Sequence, residues 1–171
     1  MYTQIIDTPR LRLRPMTRAD APAAFVWCSD PAVNRFMTYP LYSEAEEVSV
    51  WLTRMEADPG VMLCGIERIA DGLLIGSISL SRKPDTTALN LGYNLRRDCW
   101  GQVYATEVSR ALLAHAQGLG HRDFIACHAL ANVGSEKVLK RCGFVFDHDG
   151  EYSKYDGSET FPAKYYTLHA D

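Results

Sequence analysis

The chain has 171 residues, of which 47% are hydrophobic and 23% are charged, a composition typical of a globular protein. Its formal net charge of −3 gives no general attraction to nucleic acid or anionic lipid, and no apolar run approaches the roughly 20 residues that span a bilayer. The five cysteines are scattered without a C-x-x-C pair, which favours reduced thiols in a cytoplasmic protein over a disulfide framework or a metal site. Residues 1–4 contain no basic segment leading into an apolar stretch, so we expect no secretory signal.

The first third of the chain predicts one strand and two helices. Leucine and arginine alternate over residues 10–14, which indicates a half-buried strand with its arginines on a solvated face. Contact of these arginines with an anionic substrate or with ribosomal RNA is the alternative. Thr17, with Asp20 three residues later, predicts the start of one helix, and Ser43 predicts the cap of the next.

The middle of the chain predicts a meander followed by a helix. Residues 61–69 and 73–82 are rich in β-formers and are separated by Asp71-Gly72, a strong hairpin signal. Residues 89–95 predict a further strand. An apolar stripe at helical spacing then predicts a helix from Ala105 to Leu119.

The last third predicts a strand over 124–130, a helix over 133–142, a short strand over 144–146 and a final strand over 161–168. Between the last two, residues 147–157 are interpreted as turns, including Asp147-His148-Asp149-Gly150, whose spacing otherwise imitates a metal-ligand set. The order β-α-α-β-β-β-α-β-α-β-β predicts one domain over residues 1–171, a mixed α/β (α+β) sheet with helices on both faces.

Two helix starts in this order have the chemistry of a binding site. Trp100-Gly101-Gln102-Val103 leads into the helix that carries Thr106, and Asn132-Val133-Gly134-Ser135 opens the next helix. A small-residue turn that enters a helix leaves main-chain N–H groups without partners at the positive end of the helix dipole. Such a turn is a ready site for a phosphate or pyrophosphate.

Together these segments resemble the GNAT acetyltransferases, in particular the RimJ/RimL-type branch that acetylates ribosomal-protein N-termini. The resemblance runs over nearly the whole chain, in order and with the family's spacing. Its pieces are Thr8-Pro9-Arg10-Leu11-Arg12-Leu13-Arg14-Pro15, Ser29-Asp30-Pro31, Ile75-Gly76-Ser77-Ile78, Leu91-Gly92-Tyr93, Trp100-Gly101, Tyr104-Ala105-Thr106-Glu107, Asn132, Ser135 and Gly143-Phe144.

The resemblance implies a GNAT-like acyl-CoA N-acyltransferase fold. Its mostly antiparallel sheet splays between the fourth and fifth strands, predicted here over 89–95 and 124–130. Acetyl-CoA, the cosubstrate, would lie in that gap, with its pantetheine beside Leu95, its pyrophosphate on the amides of residues 101–105 and its cysteamine region near Asn132. The implied cofactor-binding residues are Leu95, Arg96, Arg97, Gly101, Gln102, Val103, Tyr104, Ala105, Thr106, Asn132 and Ser135. For Arg96 and Arg97 a plain surface charge is the alternative, and for Asn132 a helix cap, which is compatible with binding.

Val103 departs from the family's loop, which usually has glycine at that position. A β-branched residue is disfavoured at positive φ. We expect Val103 to have helical dihedrals, in which case its N–H still serves the loop at small cost.

The resemblance also assigns the chemistry, direct attack of a neutral amine on the thioester. Main-chain N–H groups near residues Leu91–Tyr93 would stabilise the oxyanion, and Ser135 would act as acid or relay to the CoA sulfur. The tyrosine that many GNAT enzymes use corresponds to Leu139, and the frequent carboxylate base to Asn90; neither has the required group. His128 is a candidate base, although a packed histidine is the alternative.

Without an obvious base, an α-amine with a pKa near 8 is a better acceptor than a lysine amine near 10.4. We therefore expect N-acetylation of a protein or peptide N-terminus. The alternatives are a small-molecule amine, such as an amino acid, polyamine or antibiotic, or a non-catalytic acyl-CoA-binding module. The acceptor pocket is expected around Phe36, Met37, Tyr39 and Tyr155. The expected protein is cytoplasmic, a monomer or homodimer, with no metal, nucleic-acid or membrane partner.

Overall fold

The structure is a computed structural model that describes residues 4–83 and 86–170. The expectation about a secretory signal falls largely on residues 1–3, which lie outside the described residues. The described chain forms an eight-stranded sheet with strand order β1-β2-β3-β4-β5-β6-β8-β7. All neighbouring strands are antiparallel except β5 and β6. The strands are β1 (Ile6–Asp7), β2 (Leu11–Pro15), β3 (Val61–Arg68), β4 (Leu73–Arg82), β5 (Leu89–Leu95), β6 (Asp123–Ala129), β7 (Val145–Ser153) and β8 (Thr160–His169).

Helices cover both faces of this sheet, as predicted. They are α1 (Ala21–Cys28), α2 (Pro31–Asn34), α3 (Ala45–Ala57), α4 (Tyr104–Gly118) and α5 (Val133–Arg141), with 3-10 turns at Arg18–Asp20 and Arg97–Cys99. On one face Trp27 of α1 and Leu52 of α3 pack in a buried cluster with Leu74 of β4. On the other face Leu112 of α4 and Leu139 of α5 pack against the remaining apolar side of the sheet. The mixed α/β fold expected from the order of elements is confirmed.

The sheet splays open between β5 and β6, the fourth and fifth strands of the sequence prediction. The two strands pair only at Leu89 with Phe124 and at Asn90 with Ile125, and then diverge. Strand β4, in contrast, pairs with β5 as far as Leu95. The second half of β5 therefore has a main-chain edge that no strand covers.

Capping residues define the start of the 3-10 turn that leads into α1 and the start of α3. Thr17 caps the 3-10 turn at Arg18–Asp20, and the Asp20 carboxylate accepts a hydrogen bond from the Thr17 N–H (2.9 Å), as the sequence predicts. The prediction for Ser43 is wrong by one residue: Glu44 is the cap of α3. The N–H and hydroxyl of Ser43 both donate to the Glu47 carboxylate instead (2.7 and 3.0 Å).

Strand β7 corrects the turn predicted over residues 147–157. It pairs with β8 from Val145 to Ser153, with a bulge between Phe146 and His148 that accommodates the extra residue. A Cβ on Gly150 would lie 2.9 Å from the Tyr165 ring, so this glycine permits a close cross-strand approach. The polar composition of β7 reflects its exposed position at the edge of the sheet, which local sequence does not distinguish from a turn.

The arginines at positions 10, 12 and 14, in β2 and immediately before it, are paired with carboxylates and do not form an anion site. Among the described residues, Arg10 binds Glu107 (2.6 Å), Arg12 binds Asp7 (2.7 Å), and Arg14 binds both Asp20 and Glu67 (2.8 and 3.0 Å). The simpler interpretation, a solvated face, is therefore the one that the structure supports.

Three further features bear on the class of protein to which this chain belongs. The cysteines at 28, 64, 99, 127 and 142 are all free thiols, and the first three are buried. No helix in residues 4–83 and 86–170 is long and apolar enough to cross a membrane. Over the same residues no group of three or more histidine, cysteine, aspartate or glutamate side chains is placed to hold a metal ion.

Candidate active site

The gap between β5 and β6 is a cleft of about 700 Å³, within the size range of small-molecule and cofactor sites. One wall is the turn before α4 together with the first turn of that helix. A second wall is the cleft-facing side of α5, and the third is α2 with the residues that follow it. Tyr93, Asn94 and Leu95 of β5 form the floor.

The main-chain edge of β5 faces this cleft. The Arg96 N–H donates to the Ile75 carbonyl on β4 (2.8 Å). Because main-chain groups alternate in direction along a strand, those of Tyr93 and Leu95 point away from β4. The Leu95 carbonyl accepts a hydrogen bond from the Trp100 indole (3.0 Å), which braces the turn before α4 against the strand.

The turn from Trp100 to Val103 delivers the chain into α4 with two residues at positive φ. Gly101 has φ 77°, and Val103, the N-cap of α4, has φ 65° and ψ 9°. The N–H groups of Tyr104, Ala105 and Thr106 lie in the first turn of the helix, where no intrahelical acceptor exists. These residues line the cleft together with Gly101 and Val103, whereas Gln102 is exposed and does not line it.

The expectation of helical dihedrals at Val103 is wrong. It is the only non-glycine residue in the described chain with positive φ. A left-handed backbone costs an L-residue roughly 1–2 kcal/mol, and a β-branched side chain is among the least tolerant. The following helix start and the Trp100 brace hold the residue in this conformation, half-exposed at the rim of the cleft.

Replacing Val103 with glycine is expected to raise the free energy of unfolding by about 0.5–1 kcal/mol. Relief of the left-handed conformation outweighs the extra conformational entropy of glycine in the unfolded chain. Val103→Ala, which keeps the Cβ, is the control and should recover little of this gain. Chemical denaturation of the three proteins measures the difference, and a glycine variant no more stable than the wild type would contradict the strain.

Two polar side chains in the first turns of α4 have distinct roles. Thr106 is buried and lines the cleft, and its hydroxyl has no hydrogen-bond partner among the described residues. Glu107 points outward and accepts hydrogen bonds from the Thr8 hydroxyl (2.7 Å) and the Arg10 guanidinium (2.8 Å). Burial opposes ionisation of Glu107, but these hydrogen bonds outweigh it and lower the pKa of the carboxyl. The pairing fixes the start of α4 beside β2, while the Thr106 hydroxyl is enclosed under the first turn of the helix.

The cations that line the cleft differ from those that the sequence predicts. Arg96 pairs with Asp98 (2.8 Å), Arg97 pairs with Asp30 (3.4 Å), and neither lines the cleft. Lys137 and Arg141 of α5 do line it, without a salt bridge to any described residue. Their i, i+4 spacing puts them on one face of α5, which was the sequence signal that could have identified them.

Ser135 and Tyr93 meet across the cleft. Asn132 caps α5, and its side-chain oxygen accepts the Ser135 N–H (3.2 Å), so the helix-cap role holds and the amide NH₂ has no described acceptor. The Ser135 hydroxyl lies 2.8 Å from the Tyr93 hydroxyl on β5. Burial raises the pKa of Tyr93 well above its ordinary value, although the hydrogen bond to Ser135 acts in the opposite direction. The phenol therefore keeps its proton at neutral pH.

His128 does not line the cleft. It is 3% exposed in the core of the sheet, with Nδ1 2.8 Å from the Ala129 carbonyl and Nε2 3.4 Å from the Tyr166 hydroxyl. Both ring nitrogens are used inside the protein, so the alternative of a packed histidine describes it and the geometry opposes a role as base. Leu139, at the position where the resemblance implies a tyrosine in many GNAT enzymes, is buried in the core.

The residues expected around the acceptor separate into two groups. Phe36 and Met37, which follow α2, line the cleft. Tyr39 lies behind them without lining it, and its hydroxyl accepts a hydrogen bond from the Asn94 amide (3.3 Å). Tyr155 is 81% exposed, outside the cleft. Arg35, which the sequence did not single out, lines the same wall as Phe36.

An open cleft at a helix N-terminus, in a sheet splayed at its one parallel pair, is the architecture of an acyltransferase. The family model for the Acetyltransferase (GNAT) domain matches residues 10–145, and this chain belongs to the GNAT acetyltransferase family. The uncharacterized protein YkkB of Bacillus subtilis (strain 168) is 31% identical over 142 residues, 78% of each chain.

Solved structures share the fold at lower identity. RimL, a ribosomal L7/L12 alpha-N-protein acetyltransferase in complex with coenzyme A, superimposes with a TM-score of 0.86 and 21% identity, covering 98% of this chain and 99% of that one. The acetyltransferase of Salmonella typhimurium that modifies the N-terminal serine of ribosomal protein L7/L12 gives 0.84 and 20%, covering 98% and 100%.

Proposed function

We propose that this protein transfers the acetyl group of acetyl-CoA to the N-terminal α-amine of a protein or peptide. The observation that carries the proposal is the start of α4, whose unpaired N–H groups open into a cleft lined by Lys137 and Arg141 of α5 and by no acidic side chain among the residues described there. The chain as a whole has a net charge of −3, so the lining of the cleft is more positive than the chain as a whole. It suits the phosphates of coenzyme A.

The phosphates would be held at the start of α4. The N–H groups of Tyr104, Ala105 and Thr106 are donors without described partners. Gly101 presents its backbone closely because it has no side chain. On α5, Lys137 and Arg141 add charge at the outer part of the cleft. The pantetheine arm would extend along the free edge of β5, near Leu95 and the unpaired amide of Asn132.

Acetyl-CoA supplies the activated acetyl thioester, and the protein supplies donors. The Tyr93 N–H on the free edge of β5 is the candidate donor to the oxyanion. Ser135 is the candidate acid or relay to the thiolate: its hydroxyl lies 2.8 Å from the Tyr93 hydroxyl, and with Tyr93 as donor of this hydrogen bond the Ser135 proton would be available to the thiolate. Ser135 would thus supply the hydroxyl that Leu139 lacks.

The choice of an α-amine rests on the residues described as lining the cleft, among which there is no aspartate, glutamate or histidine to act as a base. Asn90 has no carboxylate, and His128 is enclosed in the core with both nitrogens hydrogen-bonded. An α-amine with a pKa near 8 is partly neutral without help, whereas a lysine amine near 10.4 is not. RimL proteins of the same fold act on the α-amine of a ribosomal protein. We also propose that residues 1–171 are one domain, and that it works in the cytoplasm, where its five free thiols persist.

Thiol release from acetyl-CoA, measured across a panel of N-terminal peptides, blocked peptides that retain a lysine, and small amines, tests the function. The proposal expects turnover with free N-terminal peptides and none with the blocked ones. Turnover confined to polyamines or aminoglycosides would show that the acceptor is a small-molecule amine instead. Saturable binding of coenzyme A without turnover on any acceptor would indicate a non-catalytic acyl-CoA-binding module.

The double variant Lys137→Ala/Arg141→Ala is expected to weaken coenzyme A binding about tenfold, since two exposed charge pairs contribute up to about 1 kcal/mol each. The loss should shrink at high salt, which screens exposed charges. Lys140→Ala is the matched control, because Lys140 lies on the same helix but pairs with Glu136 (2.7 Å). Calorimetric titration at two salt concentrations measures the effect, and equal affinity in the double variant and the control would refute the assignment.

A further inference from the structure

The wall of the cleft formed by α2 and the residues after it has a single charged side chain. This acceptor wall consists of Ala32, Val33, Arg35, Phe36 and Met37. It stands apart from the α4 turn and from α5, which provide the donors for phosphates. Its apolar members could contact the body of an acceptor, and Arg35 is its only charged member.

The start of α2 is unsuited to binding a phosphate, so the positive charge of Arg35 on this wall is available to a different ligand. The Asp30 carboxylate caps the helix and accepts the Ala32 N–H (2.8 Å). The same carboxylate lies 3.4 Å from the Arg97 guanidinium. An anion at this helix start would meet a carboxylate instead of free N–H groups.

Arg35 has no carboxylate partner within residues 4–83 and 86–170. Its guanidinium lies over the Phe36 ring, 5.1 Å from the centroid, an arrangement that fixes a cation without neutralising it. Arg12, Arg14 and Arg68 each bind at least one carboxylate, whereas Arg141, in the same cleft, resembles Arg35 in making no salt bridge to a described residue. A cation left unpaired in a cleft is available to a ligand.

A second cation supports the wall from behind. The Lys154 ammonium donates to the Asn34 carbonyl (3.2 Å), to the Asn34 side-chain oxygen (3.1 Å) and to the Met37 carbonyl (3.1 Å). It makes no salt bridge in the described chain. These bonds fasten the acceptor wall to the end of β7 and leave its positive charge uncompensated, which disfavours a polycationic acceptor such as a polyamine.

We propose that the acceptor carries a carboxylate close to its reactive amine and that Arg35 binds this carboxylate. For a peptide, the group is an aspartate or glutamate at one of the first positions after the N-terminal residue; for a free amino acid, it is the α-carboxylate. A guanidinium is suited to this role because it binds a carboxylate through two parallel hydrogen bonds. The inference rests on the proposed N-acetyltransferase function and deepens it.

Three peptides that differ only at the second residue, with aspartate, asparagine or lysine, test the proposal. We expect kcat/KM for the aspartate peptide to exceed that for the lysine peptide at least tenfold, mainly through KM. Arg35→Glu should reverse this order. Arg18→Glu makes the same charge change on a residue that does not line the cleft, and should keep the wild-type order.

A free amino acid and its amide form the second arm, which identifies the source of the carboxylate. Preference for the amino acid over both its amide and the aspartate peptide supports a small acceptor, and preference for the peptide supports a protein N-terminus. Equal rates with all three peptides together with equal rates for the amino acid and its amide, or preferences that stay unchanged in Arg35→Glu, would overturn the inference. Absence of acetylation on every acceptor is a different result, since it removes the proposed function. Arg35→Gln, which should abolish the preference without reversing it, serves if the glutamate variant fails to fold.

Discussion

Ser135→Ala is expected to lower kcat at least tenfold while the Kd for coenzyme A changes by less than about twofold. The side chain is half-buried at the start of α5, and its hydroxyl lies 2.8 Å from that of Tyr93. A tenfold loss in rate corresponds to about 1.4 kcal/mol of transition-state stabilisation. Loss of a single preorganised donor to a developing charge costs at least this much. The hydrogen bond from the Ser135 main-chain N–H to the Asn132 side-chain oxygen does not involve the Ser135 side chain and survives the change, so α5 keeps its cap.

Tyr93→Phe tests whether the two hydroxyls act as a unit. We expect a fall in kcat, and a double variant no slower than the slower single variant, because residues in one hydrogen-bonded chain are not additive. Steady-state kinetics with a fixed peptide acceptor measure all three proteins. Ser49→Ala on α3 removes the same hydroxyl outside the cleft and should match the wild type. Normal turnover in Ser135→Ala would remove the Ser135 hydroxyl from the mechanism, and normal turnover in Tyr93→Phe would remove the Tyr93 hydroxyl.

Gly76→Ala is expected to destabilise the protein by about 3 kcal/mol, at the upper end of typical overpacking costs. A Cβ at this position would clash with the Asn94 carbonyl oxygen and lie 3.0 Å from the Leu95 Cα. Both atoms belong to the main chain of β5, which cannot rotate away as a flexible side chain can. Since Asn94 and Leu95 form the floor of the cleft, the substitution displaces the site as well.

Gly118→Ala is the matched control for this prediction. Gly118 lies at the end of α4 with nothing within 4 Å of the added Cβ, and alanine should be neutral or should stabilise by up to about 1 kcal/mol. Denaturant unfolding monitored by circular dichroism measures both variants. A Gly76→Ala protein within about 1 kcal/mol of the wild type would show that β5 can move away from β4 at that point.

Sequence reasoning was most successful where one periodicity dominates. The apolar stripe of α4 and the alternation in β2 each predict an element that the structure contains. It failed at β7, where Asp147 and Gly150 have the composition of a turn. There the bulge and the contact with Tyr165, both set by pairing with a distant strand, determine the conformation.

The candidate site residues differ in how far local sequence can predict their surroundings, for a related reason. The main-chain donors before α4 follow from local sequence, because a helix start needs no distant partner to leave N–H groups free. Side-chain roles depend on tertiary neighbours. Arg96 lies in the right segment but binds Asp98, whereas Lys137 was overlooked and faces the cleft. Val103 was expected to be helical, and the left-handed backbone is imposed by the brace and helix on either side of it.

Titration of the protein with coenzyme A and acetyl-CoA by calorimetry tests most directly the idea that the start of α4 holds a phosphorylated cofactor. Saturable binding of both molecules is predicted, weakened in Lys137→Ala/Arg141→Ala and unchanged in Lys140→Ala. Absence of binding by either molecule to the folded wild-type protein would contradict the account.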